Sequence, residues 1–293
     1  MSGAGAFRND EAVKARALDD AAAGAHRGWA TDATDADRQA CAEAFGLTVG
    51  LVTLLSMSSR APYLDGSCAF LRDALDDIRP GADLDRLLRR WMASVWTDPD
   101  YGIEGRLPGG AARDAAQAVV DLVRRSMGAP VARPEWRAAR NALLAAMKDV
   151  PPAPAAFARV AAAMAWDLDA MPGVASDVWL AWDRAYEEEM GLAAGWPKSV
   201  QDEVTESYRA CMREGYGAAP ALAENAGEAA REAHEAAVRA ATDRALEASG
   251  QGERWKALTA YWQSGVVENM GAWREHALGT IRAEARVEER VAA

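Results

Sequence analysis

The chain has 293 residues, of which 50% are hydrophobic and 26% charged, and its 33 Lys and Arg against 44 Asp and Glu give a formal net charge of -11. Alanine is the most abundant residue and β-branched residues are sparse, so the composition predicts an all-α fold and argues against disorder and against a β-sheet protein. The cations are interleaved with acids, so nucleic acid is not an expected partner, although a small basic face on one helix is compatible with this pattern.

Start and stop signals divide the chain into a bundle of about ten or eleven helices. Thr34, followed three residues later by Asp37, has the pattern of a capping box and is expected to open one long buried helix that ends near Ser58. Ser67 and Asp83 are expected to cap the next two helices. Further amphipathic helices are predicted over residues 111–127, 134–149, 155–170, 176–193 and 197–215.

Two irregular stretches interrupt this pattern. Residues 97–110, with two prolines and four glycines, form the longest predicted loop of the first half; a surface connection is the commoner interpretation and a functional loop is the alternative. Residues 150–154 read Val-Pro-Pro-Ala-Pro, and each proline lacks an N–H donor and restricts the residue before it. We therefore predict an N-terminal domain over residues 1–150 and a C-terminal domain over 151–293.

Residues 220–293 are predicted to form a long antiparallel helical hairpin around a short Ser-Gly-Gln-Gly turn. The first helix of the hairpin carries a seam of small residues, most of them alanine. The second carries a bulky seam that includes Trp255, Trp262 and Trp273. Large side chains interlock with small ones, so the two seams are expected to pack against each other.

Polar residues interrupt both seams. If the turn is centred near residue 251, antiparallel pairing sets His234 level with Glu268 and Asn269. We therefore predict a polar layer of His234, Asn269 and Glu268 inside an otherwise apolar interface. This layer either holds the two helices in register, as a buried Asn does in coiled coils, or forms a ligand or proton-transfer site in which His234 titrates.

The sequence lacks the common catalytic and metal-binding motifs: it has three histidines and no HExxH, ExxH, GxSxG, Walker or GxGxxG pattern, so no cofactor or metal is expected. Asp73, Asp76 and Asp77 share one helical face and could hold Mg²⁺ against a diphosphate. This cluster resembles the aspartate-rich motif of α-helical isoprenoid synthases. Its order is DxxDD instead of DDxxD, and a second metal motif is missing. The preferred interpretation is therefore a solvated acidic face whose carboxylates pair with nearby arginines.

Trp179, Trp182 and Tyr186 are spaced i, i+3 and i+7, so they form a single stripe on one predicted helix. Stripes of this kind are usually part of the core. The alternative is an interaction groove for a protein partner or ligand, for which Trp and Tyr are suited because they bury a large area with few rotatable bonds.

The cysteines and the apolar segments indicate the compartment. Cys41, Cys68 and Cys211 are odd in number, far apart and without a CxxC pair, which argues against a disulfide framework and favours a reducing cytoplasm. No apolar signal segment is present in residues 1–20. The longest nearly uncharged run, residues 45–59, is shorter than the roughly 20 residues that a transmembrane helix needs, so no transmembrane segment is expected.

The sequence favours a non-catalytic helical protein that acts through protein–protein contacts or self-association, as an adaptor, an assembly subunit or a regulatory partner. The missing catalytic motifs, the acidic surface and the long C-terminal helices support this hypothesis. The alternative is an all-α enzyme or small-ligand binder whose interhelical pocket is lined by Trp and Tyr, with His234 or the three aspartates as the polar groups. A closed pocket of several hundred Å³ that contains His234 or the three aspartates would favour the alternative.

Overall fold

The computed structural model describes residues 5–58, 67–223 and 226–291, without the side chains of residues 67–69, 265–269 and 288–291. Helix makes up 76% of the chain and the described ranges contain no strand, which confirms the all-α class. The α-helices found in these ranges are α1 (Glu11–Ala23), α2 (Asp35–Phe45), α3 (Val49–Ser58), α4 (Ser67–Asp76), α5 (Leu84–Thr97), α6 (Ala111–Ser126), α7 (Arg133–Ala146), α8 (Pro152–Met164), α9 (Val174–Ala193), α10 (Lys198–Ala218), α11 (Glu228–Ala248), α12 (Gly252–Ala260) and α13 (Val267–Val291).

These thirteen helices of the described ranges exceed the predicted ten or eleven because two predicted helices are interrupted. The helix expected over residues 34–58 breaks at Gly46, whose φ of 63° lies in the left-handed region that ends helices. The two resulting helices, α2 and α3, are bent by 115°. The predicted C-terminal helix is interrupted by a π-helical segment, Tyr261–Val266, between α12 and α13.

Local capping signals placed several helix starts correctly. Thr34 and Asp37 form the predicted capping box: the Asp37 N–H donates to the Thr34 hydroxyl at 3.2 Å, and the Thr34 N–H donates to the Asp37 carboxylate at 2.9 Å. Asp83 caps α5 by accepting from the Arg86 N–H at 3.0 Å. Helix α8 begins at Pro152, earlier than predicted, because a proline in the first turn lacks only an N–H that would have no helical partner there.

The contacts divide the chain into two compact units. Unit 1 comprises Met1–Tyr186 and Gly271–Ala293, and unit 2 comprises Glu187–Met270. The predicted boundary near residue 150 falls inside unit 1, where the proline-rich stretch leads directly into the first turn of α8. The predicted domains 1–150 and 151–293 therefore do not coincide with these units.

The core of unit 1 is built around large aromatic side chains. Trp91 and Trp96 of α5 have exposed fractions of 0% and 1%, as the helical spacing of its apolar residues leads one to expect. The Trp91 indole N–H donates to the Thr280 hydroxyl of α13 at 3.2 Å, so this buried donor is satisfied. This hydrogen bond links the last helix to α5 within unit 1.

Unit 2 is organised around α10, against which both α11 and α12 pack. A Cβ built on Gly215 of α10 would lie 2.3 Å from the Thr242 hydroxyl of α11, so the missing side chain permits close approach. The Trp255 ring of α12 stacks on the Tyr208 ring of α10 with centroids 3.8 Å apart. The predicted closing hairpin is not confirmed: in unit 2 the small and the bulky seams both contact α10, and Trp273 belongs to unit 1.

No single helix in the described part of the chain is long and apolar enough to cross a bilayer. The pair α2 and α3 reaches that length and apolarity only when both helices are counted across their bend. Leu51, Leu54 and Leu55 of α3 have exposed fractions of 0%, as in the core helix of a folded domain.

Candidate functional site

The predicted aromatic stripe lies inside unit 1. Trp179, Trp182 and Tyr186 have exposed fractions of 3%, 0% and 4%. Their rings belong to a cluster in which neighbouring centroids lie 5.2 to 6.5 Å apart, and which also contains Tyr101, Phe157 and Trp273. In this structure the stripe is therefore part of the core.

Of the predicted polar layer, only His234 has a described side chain. The side chains of Glu268 and Asn269 are outside the described part of the chain, so the layer stays a prediction. Nδ1 of His234 lies 2.9 Å from the carbonyl oxygen of Pro220. A carbonyl only accepts hydrogen bonds, so Nδ1 carries a proton; in the neutral ring Nε2 is then the acceptor. His234 also lines an open cleft of about 390 Å³ in unit 2, together with Tyr216 and other residues of α10 and α11.

The three aspartates of α4 and the turn after it are engaged by cations of α1 and α13. The ion pairs are Asp77–Arg282 at 2.6 Å, Asp77–Arg286 at 2.9 Å, Asp73–Arg282 at 3.5 Å and Asp76–Lys14 at 3.7 Å. Burial raises the pKa of Asp77, but hydrogen bonds from Arg286 and Arg282 outweigh it and hold this pKa below its usual value. Among the described residues, the ion pairs of this acidic face are made with basic residues of the distant α1 and α13, whereas the sequence had suggested the nearby arginines.

A cleft in unit 1 combines several cations with exposed aromatic surface. It has a volume of about 530 Å³ and lies between α7 and the turn that follows α8. We call it the α7 cleft. Its wall includes Arg133, Trp136, Arg137 and Arg140 from α7, and Trp166 and Met171 from the turn.

The sequence of α7 explains the basic wall. Trp136 and Leu143 are buried, with exposed fractions of 5% and 0%, and so set the rotation of the helix about its axis. Arg133, Arg137 and Arg140 follow at i, i+4 and i+7, which places them together on the neighbouring face. The interleaved charges of the sequence were compatible with a small basic face on one helix, and α7 carries such a face.

The arginines of the wall make no ion pair with any described residue. Asp167 is the single acid among the lining residues, and its carboxylate accepts from the Asp169 N–H at 3.2 Å. Three guanidinium groups against one carboxylate give the α7 cleft a positive potential on a chain whose net charge is -11.

Aromatic and apolar surface adjoins these charges. The guanidinium carbon of Arg140 lies 4.7 Å from the ring centroid of Trp166, within the range of a cation–π contact. Trp166 and Met171 are 39% and 45% exposed. Among the described residues, Trp136 Nε1 and Arg140 Nε are buried donors without an acceptor. A donor of this kind lowers the free energy of unfolding by about 1–3 kcal/mol. The cleft therefore offers guanidinium donors beside an open ring.

Comparison with protein-family models, with curated proteins and with solved structures finds no match for this chain. The α7 cleft is thus assigned from its own geometry. The arginine spacing on α7 is a signal that the sequence contains but that its overall charge pattern obscures. Trp166 carries no such signal, because it stands in a turn and meets Arg140 only in the folded chain.

Proposed function

We propose that this protein binds a small anionic ligand with a flat apolar part in the α7 cleft. The observation that carries the proposal is the set of three arginines, none in an ion pair with a described residue, beside the exposed ring of Trp166. It corresponds to the small-ligand alternative of the sequence analysis, with arginines in place of His234 or the aspartates as the polar groups.

Each part of the cleft suits one part of such a ligand. The planar guanidinium group donates two parallel hydrogen bonds to a carboxylate or phosphate, which favours an organic acid or a phosphate ester. An indole ring packs well against a flat apolar group. The volume of about 530 Å³ falls in the range of small-molecule sites, roughly 300–1,000 Å³.

The test uses anilinonaphthalene sulfonate, a fluorescent probe that joins an anion to flat rings, and the double variant Arg133→Gln/Arg137→Gln. Charge-assisted hydrogen bonds contribute about 1.5–3 kcal/mol each, so we expect the Kd of the probe to rise at least tenfold, and the wild-type affinity to fall with salt. Arg209→Gln/Arg213→Gln is the matched control, because these arginines also stand at i and i+4 on an exposed helical face, but pair with Glu206. Equal affinity in both double variants contradicts the proposal.

The natural ligand is sought by native mass spectrometry of the protein purified from its own host. We expect a bound mass that is present in the wild type and in the control, and depleted in Arg133→Gln/Arg137→Gln. A bound mass retained equally by all three proteins would place its site away from the α7 cleft.

A second candidate function is the protein–protein role that the sequence favours, as an adaptor, assembly subunit or regulatory partner. Leu144 is 38% exposed and continues the arginine face of α7 one turn beyond Arg140, so this face offers apolar contacts beside cations. An acidic segment of a partner or of a second copy fits such a face. Light scattering tests self-association: the wild type should gain mass with concentration, and Leu144→Glu should not.

The remaining proposals are supported by the sequence alone. They are the closing hairpin over residues 220–293, the polar layer of His234, Asn269 and Glu268, and a cytoplasmic location inferred from the three dispersed cysteines.

A further inference from the structure

A second cluster of polar side chains in unit 1, apart from the α7 cleft, joins the loop after α5 to the last helix. His276 of α13 places Nε2 2.7 Å from the Asp98 carboxylate, and the Asp98 side chain is only 6% exposed. The other oxygen of Asp98 accepts from the backbone N–H groups of Asp100 and Tyr101 at 3.0 and 2.8 Å. Asp98 thus accepts three N–H groups, and its orientation is determined by the loop.

These bonds determine the tautomer of His276. A carboxylate only accepts, so Nε2 carries a proton, and in the neutral ring Nδ1 presents its lone pair. Nδ1 lies 3.9 Å from the carboxylate of Asp100, which is 68% exposed. The Tyr101 ring, with its centroid 4.8 Å from that of the imidazole, holds the ring in place.

The distances show which of the two carboxylates could bind a metal ion together with His276 and which could only hydrogen-bond to the imidazole. Two ligands of a tetrahedral zinc ion, each about 2.0–2.1 Å from the metal, lie roughly 3.3 Å apart. The 2.7 Å between Nε2 and Asp98 is a hydrogen bond, too short for both atoms to be ligands of one ion. The 3.9 Å between Nδ1 and Asp100 reaches ligand spacing after a small rotation of the exposed Asp100 side chain.

We propose that His276 Nδ1 and the Asp100 carboxylate bind one divalent transition-metal ion of the zinc type, with water completing the coordination shell. Asp98 is the positioning residue, because a carboxylate that accepts the other imidazole N–H fixes the ring and raises its basicity as a ligand. Imidazole selects Zn²⁺, Co²⁺ or Ni²⁺ over Mg²⁺ and Ca²⁺, which prefer all-oxygen shells. This site shares no residue with the α7 cleft, so the two proposals stand or fall separately.

The experiment titrates chelator-treated full-length protein with Zn²⁺ by calorimetry and with Co²⁺ by visible absorption. We expect one metal per chain, with Co²⁺ bands that report nitrogen ligation. His276→Gln should abolish binding, Asp100→Asn should weaken it at least tenfold, and Asp98→Asn should weaken it about 10–100-fold, as loss of an outer-shell partner usually does.

The other histidines of the sequence are the matched controls. His26→Gln and His234→Gln should bind Zn²⁺ like the wild type, since neither belongs to this cluster. Asp100 is exposed, so Asp100→Asn keeps the test decisive even if His276→Gln does not fold. The proposal is overturned by a wild type that binds no Zn²⁺, by undiminished binding in Asp100→Asn, or by equal binding of Mg²⁺.

Discussion

Arg140 lies over the indole of Trp166, with 4.7 Å between the guanidinium carbon and the ring centroid. The contact joins a cation of α7 to a ring from the turn after α8, and so brings charge and flat apolar surface together at one edge of the α7 cleft. A cation–π contact at an exposed site contributes about 0.5–1 kcal/mol. Its larger effect here is to hold an exposed tryptophan beside the arginine row.

The first prediction concerns this pair. Trp166→Ala should raise the Kd of anilinonaphthalene sulfonate about 2–10-fold, because a ring contact contributes about 0.5–1.5 kcal/mol. Arg140→Lys keeps the charge but loses the planar guanidinium group, so it should also raise the Kd of the probe. Fluorescence titration measures both, with Tyr216→Ala of unit 2 as the control for a lost exposed ring. An unchanged Kd in Trp166→Ala would show that the probe does not contact this ring.

The second prediction concerns the close approach of α10 and α11. Gly215→Ala would place a Cβ 2.3 Å from the Thr242 hydroxyl and 3.0 Å from the Val238 carbonyl oxygen, so the helices must move apart. We expect a loss of about 1–3 kcal/mol in the free energy of unfolding, measured with urea by circular dichroism.

Gly217 provides the control on the same helix. Nothing lies within 4 Å of a Cβ built there. Gly217→Ala should therefore be neutral or stabilise by up to about 1 kcal/mol, since alanine restricts the unfolded chain. Equal destabilisation by both substitutions would contradict the packing of α10 on α11.

The third prediction is a pH dependence that Asp77 confers. Its pKa is lowered in the folded state, since the hydrogen bonds from Arg286 and Arg282 outweigh the effect of burial. Its stabilising contribution is therefore complete above the unfolded value of about 3.9 and is lost as pH falls through the lower folded-state pKa. Asp77→Asn should lower Tm at pH 7 and flatten the fall of Tm below pH 4. Asp121→Asn, at an exposed pair with Arg124, should leave the profile close to that of the wild type.

The fourth prediction concerns the thiol of Cys41. Burial, followed by the charge of Asp20, raises the pKa of Cys41 to about 12, and its side chain is fully buried. Because the unfolded thiol ionises first, this group lowers stability as pH rises above about 8.5. Iodoacetamide at pH 8.5 should leave the Cys41 peptide unlabelled in native protein and label it in urea, as read by peptide mass mapping. Rapid labelling of native protein would show that the thiol is accessible.

Several elements could be predicted because their causes lie within a few residues of the chain. The capping box of Thr34 and Asp37 and the cap at Asp83 formed as expected, since a cap needs only a side chain and the N–H groups of the next turn. The break between α2 and α3 also has a local cause, Gly46, which a continuous apolar pattern concealed.

The sequence by itself determined the all-α class, most helix starts and the row of arginines on α7. Only the tertiary structure decided that α10 is the partner of both seams in unit 2, that Trp166 meets Arg140, and that His276 meets Asp98, 178 residues away. Helix signals act over one or two turns, whereas the choice of partner depends on which buried faces fit. A seam of small residues can pack against any helix that approaches closely. In unit 2 the missing side chain of Gly215 permits this close approach between α10 and α11.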